Sequence, residues 1–260
     1  MWWDRSKPLE VYLSERRLGV AWRASVPATW IDSANLDEAL ARLGDWLSAD
    51  ETSGIGRVRV WLSASLARPY MMGASIGARS QREAHILATT MASDTTGLAG
   101  ASRVWLDRWR EDRPALAVAI PEAVWQQLHA GVALADGARA RASNGLRRRS
   151  LAVASVRPWW NLPFDHLLDE CRRDSSRLGW TLNEGDGLLH GVIERGQLVE
   201  IGFDRPGPHD PTGGMLRRRL QANWGSSVPV RDLVFDASTA LAPGSPHAIG
   251  AWHDAVGVPA

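Results

Sequence analysis

Ala115-Leu116-Ala117-Val118-Ala119-Ile120 is the stretch that most narrows what this chain can become. An uncharged apolar run too short for a helix and closed by Pro121 reads as a strand buried on both faces. Pro121 then suits the first turn of a helix carrying Val124, Trp125, Leu128 and Val132. The polar, Gly-containing segment Asp136 to Arg149 reads as a loop, leading to a second buried-type strand, Leu151 to Val156. Strand, helix, strand with buried strands is the signature of an α/β protein.

The residues before this run prepare the same sheet. Glu10 to Leu13 and Leu18 to Arg23 read as two strands joined by the turn Ser14-Glu15-Arg16-Arg17. Asn35 and Glu38 form a capping box ahead of a helix with Leu36, Leu40, Leu43 and Leu47 on one face. Arg57 to Ser63 alternates, with Val58, Val60 and Leu62 on one side. Ser80 and Glu83 cap a helix running to about Met91. Thr95 to Gly100 reads as a flexible stretch, and Arg103 to Arg108 as a strand.

A boundary falls at Arg157-Pro158-Trp159-Trp160. Beyond it, Pro163 starts a helix with Phe164, Leu167, Leu168 and Cys171 inward. Leu188 to Glu194 and Gln197 to Phe203 make a hairpin around Arg195-Gly196. Thr212 is placed to cap a helix holding Met215, Leu216, Leu220 and Trp224. Val230 to Phe235 is a last strand, and Pro246 to Ala255 reads as a short terminal helix. The order gives a mixed sheet flanked by helices, in two lobes.

Composition excludes several classes. With 30 basic and 29 acidic residues the chain is nearly neutral, so nothing global demands nucleic acid or anionic lipid. A single cysteine, Cys171, excludes an intramolecular disulfide and fits a reducing compartment. No stretch reaches the roughly 18 to 20 apolar residues that span a bilayer, and the charged start from Met1 to Pro8 lacks a signal peptide's apolar core. A cytoplasmic location is expected, peripheral at an inner membrane only through a partner. The 14 Trp against 3 Phe and 2 Tyr supply core and interface residues alike. The adjacent pairs Trp2-Trp3 and Trp159-Trp160 are hard to bury together and are the candidate partner-binding residues.

No phosphate-cradling G-x-x-x-x-G-K-[ST], no G-x-G-x-x-G after a strand and no G-x-S-x-G elbow occurs. The seven histidines show no metal-ligand spacing, so no metal site is assigned. Arg147-Arg148-Arg149 and Arg217-Arg218-Arg219 are basic runs. The first, a solvated loop or a contact for an acidic partner, joins the candidate partner-binding residues; nucleic acid is not expected at such a net charge. No catalytic residue is assigned.

In its order of elements the chain resembles the actin-like proteins of type IV pilus and type II secretion assembly, PilM and the cytoplasmic domain of the GspL family. The residues that carry the resemblance are the Val11-Tyr12-Leu13-Ser14 hairpin with Gly19-Val20-Ala21-Trp22, and Val58-Arg59-Val60-Trp61-Leu62-Ser63 with the helix from Ser80. Ala117-Val118-Ala119-Ile120-Pro121 with Val153 to Pro158, and the hairpin Leu188 to Phe203, complete it. The resemblance implies an actin-like (RNase H-like) two-lobed fold. Its first lobe would be residues 1–157 with a small subdomain inserted around 64–110, and its shorter second lobe 158–260. It implies a scaffold that binds the cytoplasmic tail of an inner-membrane partner, and an assembly ATPase.

The chain departs from nucleotide-binding relatives at their phosphate loops. The Asp-Gly loop expected after the first strand is Ser14-Glu15-Arg16-Arg17, and at the second only Gly185-Asp186-Gly187 remains. Asp186 and Gly187 are therefore the residues for ATP and Mg²⁺ only if nucleotide binding is retained. The expectation is a non-catalytic pseudo-ATPase without cofactor. The alternatives are an atypical actin-like ATPase, and a nucleic-acid or regulatory module using the Arg runs.

Overall fold

A computed structural model describes residues 8–21, 28–49, 52, 54–74, 77–107, 109–142, 150–174, 176–207, 209–210, 213–225, 227–236 and 251–254. Trp2, Trp3, Arg147, Arg148, Arg149 and Thr212 lie outside these residues. The chain divides into two compact units. One comprises Met1–Ser63, Ala123–Trp159 and Asp236–Ala251; the other comprises Ala64–Glu122, Trp160–Phe235 and Trp252–Ala260.

The first unit is built on a five-stranded sheet. Strands β1 (Leu9–Leu13), β2 (Arg17–Ala21) and β3 (Thr29–Asp32) form an antiparallel meander. Helix α1 (Leu36–Ser48) follows, then β4 (Arg57–Leu62), parallel to β1. Helix α3 (Glu122–Ala142) leads to β8 (Ala152–Pro158), parallel to β4. The order is β3-β2-β1-β4-β8. The α1 capping box is made: Asn35 Oδ1 accepts from the Glu38 N–H at 3.0 Å, and Glu38 Oε2 accepts from the Ala34 N–H at 2.7 Å.

Helix α3 runs on through Asp136 to Ala142, where the sequence reads as a loop. The reason is Arg139. Buried at 5% exposure, it donates to the carbonyls of Leu47 and Ile55 (2.8 Å to the latter) and to the Thr52 hydroxyl at 2.8 Å. It thus satisfies the Leu47 carbonyl in the last turn of α1 and the Ile55 carbonyl in the loop before β4. A residue that reads as solvated charge is a buried cap.

The second unit holds two sheets. Strands β5 (Arg68–Met72), β6 (Ser102–Leu106) and β7 (Ala115–Pro121) make an antiparallel sheet of order β5-β7-β6. Helix α2 (Gln81–Thr96) packs its Ala88 and Ala92 against Tyr70, Met72, Val104, Ala117 and Ala119. It extends past the expected end at Met91 and stops at Gly97, whose φ of 65° is the left-handed conformation of a helix C-cap.

The other sheet, β11-β10-β9-β12-β13, is formed by β9 (Arg177–Asn183), β10 (Leu188–Glu194), β11 (Gln197–Asp204), β12 (Val230–Asp236) and β13 (Ala251–Asp254). The first three are an antiparallel meander, and β12 runs parallel to β9. Helix α4 (Asn161–Asp174) precedes the sheet, and α5 (Gly214–Trp224) lies on it through Leu220 and Trp224, against Leu188, Val192 and Val228. Ala251 to Asp254 is strand where the sequence reads as helix; of 246–255, only these residues are described.

Candidate functional site

Two turns occupy the positions where the resemblance places phosphate loops. In the first, the Ser14 N–H donates to the Arg17 carbonyl at 2.9 Å and the Arg16 N–H to Ser14 Oγ at 3.3 Å. Free N–H groups aimed outward are what hold a phosphate. Here two are engaged within the turn, and its remaining residues carry the bulky side chains of Glu15 and Arg16.

The second turn joins β9 to β10. The Glu184 N–H donates to the Gly187 carbonyl at 3.1 Å, and the Gly185 N–H to Asn183 Oδ1 at 2.8 Å. Gly185 has φ 91°, a conformation that side chains resist. Asp186, one of the two residues assigned to nucleotide, accepts from the Ser65 hydroxyl at 2.8 Å. Gly187, the other, has no side chain because a Cβ there would lie 2.1 Å from the Phe203 ring. Both residues have structural partners that read as reasons for their identity.

Glu184 was not legible as a site residue. Its side chain is buried, one oxygen accepts from the Ala64 N–H, and Oε1 has no hydrogen-bond partner. Burial, first, and the Asp186 carboxylate, second, push its pKa well above the ordinary 4.5, against the lowering by the Ala64 N–H. Glu184 and Ala64 are far apart in sequence, so no local pattern marks the pair. Among the described residues, no cluster of three or more His, Cys, Asp or Glu side chains is arranged to hold a metal ion.

A second feature of the same unit is an open groove of about 390 Å³ where β11 runs beside β5. Its lining joins apolar Tyr70, Met71, Val199, Ile201 and Phe203 to polar Arg68, His190, Glu200 and Asp204, and to Thr95 and Thr96 at the end of α2. Arg68 is engaged: Nη1 donates to the Thr96 carbonyl at 2.6 Å, and the guanidinium lies 5.0 Å over the Phe203 ring. His190 is buried, and its Nε2 lies 3.2 Å from Asp204 Oδ2. Burial lowers its pKa below 6.5 despite the Asp204 and Glu200 carboxylates. A donor facing a carboxylate places the proton of the neutral ring on Nε2.

The remaining candidates are placed as follows. Trp159 and Trp160 are both fully buried, which corrects their reading as surface anchors. The Trp159 N–H donates to the Leu62 carbonyl and its ring meets Tyr12 edge-on at 6.2 Å; the Trp160 indole donates to the Ala67 carbonyl at 3.0 Å. Adjacent side chains point different ways, and here each direction leads into packed protein. Arg217 and Arg219, on α5, lie 4.0 and 3.9 Å from Asp232 and Asp204. No helix among the described residues is long and apolar enough to cross a membrane.

No family model matches the sequence, and comparison with curated protein sequences finds no match. Solved structures do match. A Bacteroides thetaiotaomicron protein described as having an actin-like ATPase fold and unknown function is 12% identical, with a TM-score of 0.51 over 86% of this chain and 81% of that one. The cytoplasmic domain of EpsL, an inner membrane component of the Vibrio cholerae type II secretion system, is 17% identical, with a TM-score of 0.46 over 87% of this chain and 81% of that one. A PilM–PilN type IV pilus biogenesis complex is 12% identical, with a TM-score of 0.48 over 82% of this chain and 66% of that one. The chain has the actin-like fold, an α/β architecture of mixed sheets flanked by helices.

Proposed function

We propose that this chain is a non-catalytic, cytoplasmic scaffold of an inner-membrane assembly of the type IV pilus or type II secretion kind. It holds the cytoplasmic tail of an inner-membrane partner and serves as a docking point for an assembly ATPase. Fold alone does not carry function. The observation that supports the reading is the state of the two turns: two amides of each are engaged internally, and the second carries the Asp186 carboxylate. An arrangement of that kind opposes an anionic phosphate rather than cradling it.

The test is calorimetric titration of the purified chain with ATP and Mg²⁺. The expected result is no saturable heat and an unchanged melting temperature, since a ligand that binds the native state must raise it. Saturable micromolar binding, lost in Asp186→Ala, would sink the reading and put an actin-like ATPase in its place.

A further inference from the structure

The lining of the β5–β11 groove is unbalanced in charge. Glu200 and Asp204 stand on β11 with Gly202 between them, so alternation puts both carboxylates on one face. Thr95 and Thr96, at the end of α2, line the same groove, and the Thr96 carbonyl accepts from Arg68 at 2.6 Å. The lining sets one guanidinium, Arg68, against these two carboxylates. Arg68 is engaged by the Thr96 carbonyl and the Phe203 ring, burial lowers the pKa of His190, and Arg219, largely exposed, lies 3.9 Å from Asp204. Glu200 is exposed; one of its oxygens accepts from the Trp224 indole at 3.3 Å.

The apolar part of the groove lies beside those carboxylates. Val199 is 46% exposed on this edge strand, and Ile201, Phe203 and Met71 line the same groove. The register shifts between Val192 and Ile193, so that Val199 is the extra residue of a bulge opposite them. A bulge at a sheet edge re-aims the side chain it carries.

We propose that this groove docks a basic segment of a partner protein, with a Lys or Arg side chain at Glu200 and Asp204 and an adjacent apolar side chain against Val199 and Phe203. The inference deepens the scaffold reading and rests on it, by assigning the tail a surface and a charge. A peptide fits better than a free polyamine because the groove is open, follows a strand edge, and sets apolar contacts next to the acidic ones.

The test is fluorescence anisotropy with a fluorescein-labelled heptapeptide alternating valine and lysine, and the same peptide with glutamate for lysine. The basic peptide is expected to bind saturably and the acidic one not at all. The chain's formal net charge of only +1 gives no general attraction for a cationic peptide. Glu200→Lys should weaken binding at least tenfold and Glu200→Gln about threefold, with circular dichroism unchanged for both. Three outcomes overturn the proposal: no saturable binding by the unaltered chain, equal binding by Glu200→Lys, or displacement by spermidine as effective as by unlabelled peptide. Absent peptide binding without nucleotide binding removes this groove and leaves the scaffold reading standing. Nucleotide binding removes the scaffold reading whatever the peptide does.

Discussion

The sheets β3-β2-β1-β4-β8 and β11-β10-β9-β12-β13 follow one plan: an antiparallel meander of three strands, then a strand parallel to the meander's first. Each sets an aromatic ring over a glycine where an edge strand meets its neighbour. In the first sheet, Trp30 on the edge strand covers Gly19 on β2; in the second, His190 on the inner strand lies over Gly202 on the edge. The first edge is four residues long and covered by its own Trp, whereas the second is eight residues long and offers a glycine, two carboxylates and an exposed Val. A short, covered edge resists pairing with other chains. One plan thus yields a short, covered edge in one unit and a longer, acidic and partly exposed one in the other.

The units also differ in how they bury charge. In the first, Arg139 meets three acceptors, and Glu10 accepts from Arg59 at 2.7 Å and from the Trp61 indole. In the second, Glu184 has one oxygen satisfied and one not. The largest expected effect breaks the complete network. Arg139→Met removes three hydrogen bonds of a buried guanidinium and leaves the Ile55 carbonyl without its donor, while the Leu47 carbonyl still accepts from the Thr52 hydroxyl at 3.0 Å. It should cost about 3 kcal/mol in urea unfolding, since a hydrogen bond to a charged group contributes roughly 1.5–3 kcal/mol and a buried group left unpaired costs roughly 1–3 kcal/mol. A loss under about 1 kcal/mol would mean that water replaces the guanidinium, and the contrast between the units would lose its energetic content.

Next come the two glycines. An added Cβ would stand 2.4 Å from the Trp30 ring at Gly19, and 2.6 Å from the His190 ring at Gly202. Distance alone ranks Gly19 as worse, but freedom to yield decides. Trp30 is half-buried on an edge and can swing outward, whereas His190 is buried and bonded to Asp204. Gly202→Ala should therefore cost about 2 kcal/mol and Gly19→Ala about 1 kcal/mol. The reverse order in thermal melts would show that the first edge is the more rigid.

These same contacts explain what the sequence could and could not reveal. The hairpin of β10 and β11, both capping boxes and β12 are set by local signals, and each lies where its residues place it. Strand β9 is hidden by Gly179, which reads as a breaker, yet a Cβ there would meet the Trp224 ring at 2.6 Å. Strand β5 is hidden by Pro69, which an edge strand tolerates, and β3 by its brevity. Asp186 stood out between two glycines. Glu184 and the groove did not, because Ala64, Arg68 and Thr96 come from far up the chain. Local pattern encodes elements, whereas burial of a carboxyl is a property of their assembly.

Glu184 gives a smaller effect with a distinctive pH signature. Its folded pKa is raised, so the fold prefers the neutral form. That preference is fully present below pH 4.5, where the unfolded chain is protonated too, and is lost as pH rises through the folded value. Glu184→Gln should be nearly neutral at pH 4 and more stable than the parent by on the order of 1 kcal/mol at pH 8. Parallel pH–stability curves for parent and variant would show that the carboxyl is not the group responsible.

The smallest effect separates the two accounts of why the first edge is closed. Arg17 and Asp32 pair across β2 and β3 at 2.8 Å, but both side chains are exposed, Asp32 at 80%. Exposed pairs contribute roughly 0–1 kcal/mol and are screened by salt. The Trp30 ring is held instead by apolar contact, edge-on to Tyr12 at 5.6 Å and over Gly19. Asp32→Ala should thus cost under about 0.5 kcal/mol, and amide exchange along β2 should stay unchanged at low and high salt. Faster exchange at Leu18 to Val20 only in the variant would mean that the ion pair pins the strand. The closed edge would then be an electrostatic device, and its contrast with β11 would rest on charge placement in both sheets rather than on which strand carries the ring.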